Sequence, residues 1–299
     1  MLNRRFLRIK VFEAVYSCIE DPDMSIDDAL RQFEASCEAT RDLYVFLLSI
    51  ARPLTDEAAA RIEASRAKFN PTEEEKNPKL KFTTNLIAPL LDSDPDLARQ
   101  LKRRKLSWEQ YDVLLRTVYE DVREKAWFKT YLDAPGQSLK EDAALFEKIY
   151  AEEFEDNSRL EEILEDLSIY WNDSLGYALH WCCKTLKALG EGQRWTLPEL
   201  YGGEKGFATG LLRTAKRNLD SYIAAISANT PKWDKDRICT TDLALICTGL
   251  AEYDSKAATP ENVIINEYVE ISKFYSTPES RSFVNGVLDK LIHQKNNAQ

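Results

Sequence analysis

Apolar residues recur along this chain at steps of three and four, and strict two-residue alternation is hard to find. The spacing predicts helices over 3–19, 26–50, 55–68, 107–132, 138–155, 158–189, 204–228 and 236–252. Two closing helices follow, around 260–275 and 279–291. In the first helix Leu7, Val11, Ala14, Val15 and Cys18 form the apolar face, and Asp21-Pro22-Asp23 ends it. Ser25 is placed to cap the second helix, with Asp27 and Asp28 favourable at its N-terminus. Five prolines between 53 and 95, with the charged run 72–77, break the next stretch into shorter pieces. In the closing pair, Val263, Ile264, Glu267 and Ile271 follow a helical step, as do Phe283, Val284, Val287, Leu288 and Leu291. Thr259 and Pro260 read as N-cap and first-turn proline of one helix, and Pro278-Glu279 opens the other. The fold class is therefore all-α. One internal echo is visible, Leu114-Leu115-Arg116-Thr117 recurring as Leu211-Leu212-Arg213-Thr214; a four-residue match of this kind arises by chance more often than from a diverged duplication of a helical unit.

Composition supports a folded chain. Of 299 residues 44% are hydrophobic and 10% aromatic, enough for a substantial core. Cys18, Cys37, Cys182, Cys183, Cys239 and Cys247 show neither metal-site spacing nor a disulfide grid, so they read as free, packed thiols. No signal-peptide pattern and no stretch of 18 apolar residues occurs, so a cytoplasmic location and no membrane partner are expected.

The formal net charge of −10 argues against nucleic-acid binding over the whole surface, but the charge is unevenly placed. Residues 1–12 carry Arg4, Arg5, Arg8 and Lys10 with no acid. Residues 141–166 carry eleven acids against Lys148 and Arg159. A cluster of guanidiniums on one helix suits phosphates, and Tyr16 two turns on offers a surface for stacking an unpaired base. The basic run Lys102, Arg103, Arg104 and Lys105 is a second candidate RNA contact, though such runs are more often solvated faces.

Enzyme signals are poor, and no catalytic residue, cofactor or metal site is expected. His180 and His293 are far apart, and His180 reads as a packed, hydrogen-bonded histidine. Gly202-Gly203-Glu204-Lys205-Gly206 lacks the Lys-Ser/Thr ending of a phosphate loop and follows no strand pattern. The acids of 147–166 lie all round their helix and read as a solvated surface rather than a metal cluster.

Two parts of the chain resemble the NusB family of bacterial antitermination factors. The first is Arg4-Arg5-Phe6-Leu7-Arg8-Ile9-Lys10-Val11-Phe12-Glu13-Ala14-Val15-Tyr16-Ser17, similar to the family's arginine-rich first helix. The second runs from about Phe207 to Leu291. It includes Leu211-Leu212, Asn218, Ile223, Trp233, Arg237, Asp242, Leu245 and Glu252. It closes on Pro260-Glu261-Asn262-Val263-Ile264-Ile265-Asn266-Glu267 and Phe283-Val284-Asn285-Gly286-Val287-Leu288-Asp289-Lys290. Ile246 and Ser282 depart from the pattern, each standing where a basic residue is common.

The resemblance implies a NusB-like bundle formed by 1–50 and 204–299, with 51–203 an inserted helical region. It implies binding of single-stranded boxA-type leader RNA of ribosomal RNA transcripts. It also implies a small-subunit ribosomal protein partner, NusE, and work within the transcription elongation complex. Arg4, Arg5, Arg8, Lys10, Tyr16, Phe283 and Asn285 are then the expected RNA contacts. Asn266 and Glu267 read as structural groups bonding neighbouring helices. This reading needs the first helix to pack beside the closing pair, an arrangement expected to bring Arg8 and Asn285 onto a continuous surface. Two alternatives stand beside it: a helical adaptor that does not bind RNA, and an accessory domain related to ribosomal-RNA methyltransferases. The glycine-rich cofactor domain of such an enzyme does not occur in these residues.

Overall fold

A computed structural model describes residues 1–230, 238–255 and 259–297. Among the described residues the chain is all-α, with no strand. In chain order the helices are α1 (Arg4–Glu20), α2 (Ile26–Leu48), α3 (Ala51–Arg66), α4 (Glu73–Lys76), α5 (Ile87–Asp92), α6 (Pro95–Arg104), α7 (Asp112–Glu124) and α8 (Ala126–Asp133). They continue as α9 (Leu139–Glu153), α10 (Ser158–Leu167), α11 (Leu175–Gly190), α12 (Lys205–Asn229), α13 (Thr240–Asp254), α14 (Glu261–Tyr275) and α15 (Ser280–Asn297). No described helix is long and apolar enough to cross a membrane.

Local chemistry sets several of the starts. Asn3 caps α1 by accepting from the Phe6 N–H, and Ser25 accepts from the Asp28 N–H at the head of α2. Thr72 and Glu75 form a capping box, and Asp94 caps α6 ahead of Pro95. Pro260, not Thr259, occupies the N-cap of α14, and it makes no side-chain cap bond.

Two expected helices are each broken in the structure. The stretch 107–132 divides at Lys125, whose extended backbone lets α8 turn so that Phe128 meets Phe82 and Tyr119. The stretch 158–189 divides after Leu167. There Ser168 is extended, and Trp171 donates from its indole to the Ala39 carbonyl and stacks 5.8 Å from Phe46. Neither break carries a proline or glycine; buried aromatics at these points override helix propensity.

The chain divides into two compact units, 1–38 with 199–299, and 39–198. The boundaries expected from the sequence are 50/51 and 203/204; the division near 38/39 falls within α2, where Tyr44, Phe46 and Leu47 are buried.

In the first unit α13 is the axis. Ala244 to Glu252 are buried without interruption, the pattern of a helix covered on every side. α1, α12, α14 and α15 pack around it. Gly249 marks the closest approach, since a Cβ there would lie 2.8 Å from Leu288 and 3.2 Å from Tyr268.

The second unit is organised on the α9–α11 pair and an aromatic core. Phe46 stacks on Trp108 with centroids 3.9 Å apart. Tyr44 shares hydrogen bonds with Thr185 and with the Trp195 indole, and Tyr150 donates to the Leu47 carbonyl. Buried Asp142 accepts from the Leu86 N–H, the Tyr131 hydroxyl and the Gln137 amide, satisfying a charge that would otherwise be costly inside. All six cysteines are free, and burial pushes the Cys37 thiol up to about 12.

Candidate nucleic-acid interface

α1 lies against α12 and α13 in the first unit, so the two parts that carry the family resemblance fold together. α1 buries Leu7, Val11, Phe12, Ala14 and Val15 in this unit, and an ionic network is built beside that apolar face. Arg8 donates to both oxygens of Glu252 at 2.8 and 2.7 Å, and to Glu267 at 3.3 Å. Arg5 grips Glu267 with two bonds of 2.9 and 2.7 Å. Tyr268 adds its hydroxyl to Glu252 at 2.9 Å. Glu252 is 0% exposed and Arg8 4%, so this is a buried, hydrogen-bonded ion pair.

The charges respond to that setting. Burial pulls the Arg8 guanidinium down, but the bonds and charge of Glu252 more than offset it, leaving its pKa raised. Hydrogen bonding from Arg5 holds the Glu267 carboxyl below its usual range, against the opposing effect of burial. Burial, with Glu252 beside it, drives the Tyr268 hydroxyl well above its ordinary value.

Arg8 and Lys10 are therefore corrections to the expected RNA contacts. Arg8 faces the interior and closes the bundle, and Lys10 is 2% exposed with its ammonium on Glu13 at 3.0 Å. A continuous Arg8–Asn285 surface is excluded for the same reason. Arg4 and Arg5 do reach solvent. Each also holds a carboxylate: Arg4 binds Glu204 at 2.9 Å and lies 5.0 Å from the Phe207 ring centre, and Arg5 binds Glu267. Tyr16 is 39% exposed. On α15, Asn285 is exposed and Phe283 half-buried.

The remaining residues fall into place individually. Glu267 bonds α1 to α14, as its reading as a helix-bonding group implies, whereas Asn266 is exposed. Ile246 is fully buried on α13, and Ser282 is exposed on α15. Lys102, Arg103 and Lys105 are exposed at the end of α6 in the second unit, while Arg104 is turned in against Asp42. His180 is exposed rather than packed. Trp233 and Arg237, both part of the resemblance, lie outside the described residues. Among the described residues no group of three or more His, Cys, Asp or Glu is placed to hold a metal.

These elements define an all-α bundle in which an N-terminal basic helix is clamped by carboxylates onto a C-terminal helical core. Residues 193–293 match the model of the NusB family. The chain is similar to the transcription antitermination protein NusB of Finegoldia magna, 41% identical over 81 residues, which is 27% of this chain and 59% of the relative. The NusB of Syntrophotalea carbinolica is 39% identical over 85 residues, 28% of this chain and 54% of the relative. The NusB of Alkaliphilus oremlandii is 32% identical over 92 residues, 31% of this chain and 67% of the relative. The chain belongs to the NusB family. It spans just over half the length of the first two of these relatives. No solved structure matches it.

Proposed function

We propose that this chain is a non-enzymatic, RNA-binding antitermination factor. In this reading it acts on boxA-type leader transcripts of ribosomal RNA, together with the ribosomal protein NusE. The observation that carries the reading is the Arg5/Arg8–Glu252/Glu267 network, which fixes α1 onto the unit that contains most of the family match. With α1 so fixed, the exposed parts of Arg4 and Arg5 are available to phosphates. Tyr16 provides a ring for an unpaired base, and Asn285 an amide for a base edge. The second unit, an addition to the matched segment, has no assigned part in this scheme.

One observation favours the adaptor reading instead. Every cation of the α1 cluster is already paired with a carboxylate, so RNA must compete for Arg4 and Arg5. Fluorescence anisotropy with labelled boxA-type leader RNA, with and without purified NusE, separates the two. The RNA-binding factor binds leader RNA in preference to a scrambled sequence, and Tyr16→Ala weakens that binding about tenfold, the loss of one stacked base. Equal, weak binding to leader and scrambled RNA under both conditions overturns the proposal in favour of the adaptor.

A further inference from the structure

The echo noted in the sequence, Leu211-Leu212-Arg213-Thr214 against Leu114-Leu115-Arg116-Thr117, separates in three dimensions at its arginine. Both leucine pairs are buried, as the shared pattern requires. Arg116 stands 3.9 Å from Glu57 and from Asp112. Arg213 has no carboxylate within ion-pair distance among the described residues, and neither has Arg217, one turn further along α12. The contrast with α1 is direct, because there all four cations are neutralised by acids.

Arg213 and Arg217 are both exposed and lie on one helical face. Lys216 adjoins them and donates to the Pro22 carbonyl at 3.3 Å. Asp220 is the acid nearest in sequence on α12, and it pairs with neither arginine. Towards the N-terminus the same face continues through Gly210 and Gly206, where a Cβ would meet nothing within 4 Å. The face therefore runs from two glycines, where the backbone is open, to two guanidiniums without an ion-pair partner among the described residues. Its shape admits an extended polyanion close to the backbone, and its charge complements one. Unpaired guanidiniums are also the ones that release counterions in full on binding phosphate, since they need not first give up a carboxylate.

We propose that this face of α12, through Arg213 and Arg217, is a phosphate-binding track for single-stranded RNA. The proposal rests on the RNA-binding reading above and extends it to residues that the α1 and α15 contacts do not include. Each neutralised phosphate of a single strand contributes about 0.7 to the slope of log affinity against log salt.

The test is a salt titration of the full chain with a fluorescein-labelled, 12-nucleotide boxA-type RNA. Arg213→Ala/Arg217→Ala should lower the slope by about 1.4 and weaken binding roughly 25-fold at 0.1 M salt, with helix content retained. Arg213→Lys/Arg217→Lys should restore the slope. Arg31→Ala, which removes an exposed arginine already paired with Asp28, should leave it unchanged. An unchanged slope in the double alanine variant, with wild-type binding intact, overturns the track alone. Absence of wild-type RNA binding overturns both the track and the function it rests on. Arginine-dependent capture of polyglutamate with no effect on RNA assigns the face to an acidic protein and likewise overturns it.

Discussion

Arg8→Met tests whether the family's arginine helix grips RNA at this position or grips the protein. The substitution keeps a long, unbranched side chain and removes the guanidinium. Glu252, fully buried, then keeps only the Tyr268 hydroxyl of its three strong donors, and Glu267 keeps Arg5. Removing one member of a buried ion pair costs about 3–5 kcal/mol, because the remaining charge is left without compensation. That is a large share of a domain's total stability of about 5–15 kcal/mol. Removing both charges in Arg8→Met/Glu252→Gln should cost far less than the sum of the single changes. A coupling of about 2 kcal/mol or more is expected. The assay is urea unfolding followed in parallel by far-UV circular dichroism and tryptophan fluorescence. Five of the six tryptophans lie within 39–198, so fluorescence chiefly follows the second unit. Arg8→Met should move the dichroism transition and leave most of the fluorescence transition in place. The RNA salt slope of the folded variant should equal that of the wild type. A cost below about 1 kcal/mol, additive single changes, or a slope reduced by about 0.7 would refute the reasoning.

Three further outcomes are expected. The folded-state pKa of Glu267 lies below its unfolded value, so its contribution is complete above the ordinary glutamate range near pH 4.3 and is lost as pH falls through the lower folded value. Arg5→Ala should therefore lower the urea midpoint at pH 6 and converge on the wild type as the solution is acidified, whereas a pH-independent difference rules the linkage out. Gly190→Ala places a Cβ 2.8 Å from the Ala143 Cβ and 3.4 Å from the Lys140 Cα, with no flexible side-chain end to yield. It should destabilise the second unit by about 1–3 kcal/mol by fluorescence-detected unfolding, despite alanine's better helix propensity. Lys105 caps α6 at φ +56, a left-handed conformation that favours glycine. Lys105→Gly should raise stability by about 0.5–1 kcal/mol in the same assay, and a loss would show that the lysine side chain has a compensating contact.

The sequence by itself determined the helical class, several helix starts and the family. These signals are local: α14 and α15 carry their apolar step and motif in adjacent residues, and Asn3, Ser25, Thr72 and Asp94 act within one turn of themselves. The single acid Glu252 at the end of an otherwise apolar buried run was a legible sign that a buried cation must meet it. Which cation could not be read, because Arg8 stands 244 positions away and its spacing on α1 is as compatible with a solvated face as with a buried one. Only the tertiary structure decided that Arg8 and Lys10 point inward and that Arg4 and Arg5 share their charge with carboxylates. It likewise decided that Arg213 and Arg217 lack such partners among the described residues. It also broke the expected helices at Lys125 and after Leu167, where burying Phe128 and Trp171 outweighed continuing the helix. Periodicity fixes a residue's side of its own helix, but the charge it meets is fixed by whichever distant segment packs there.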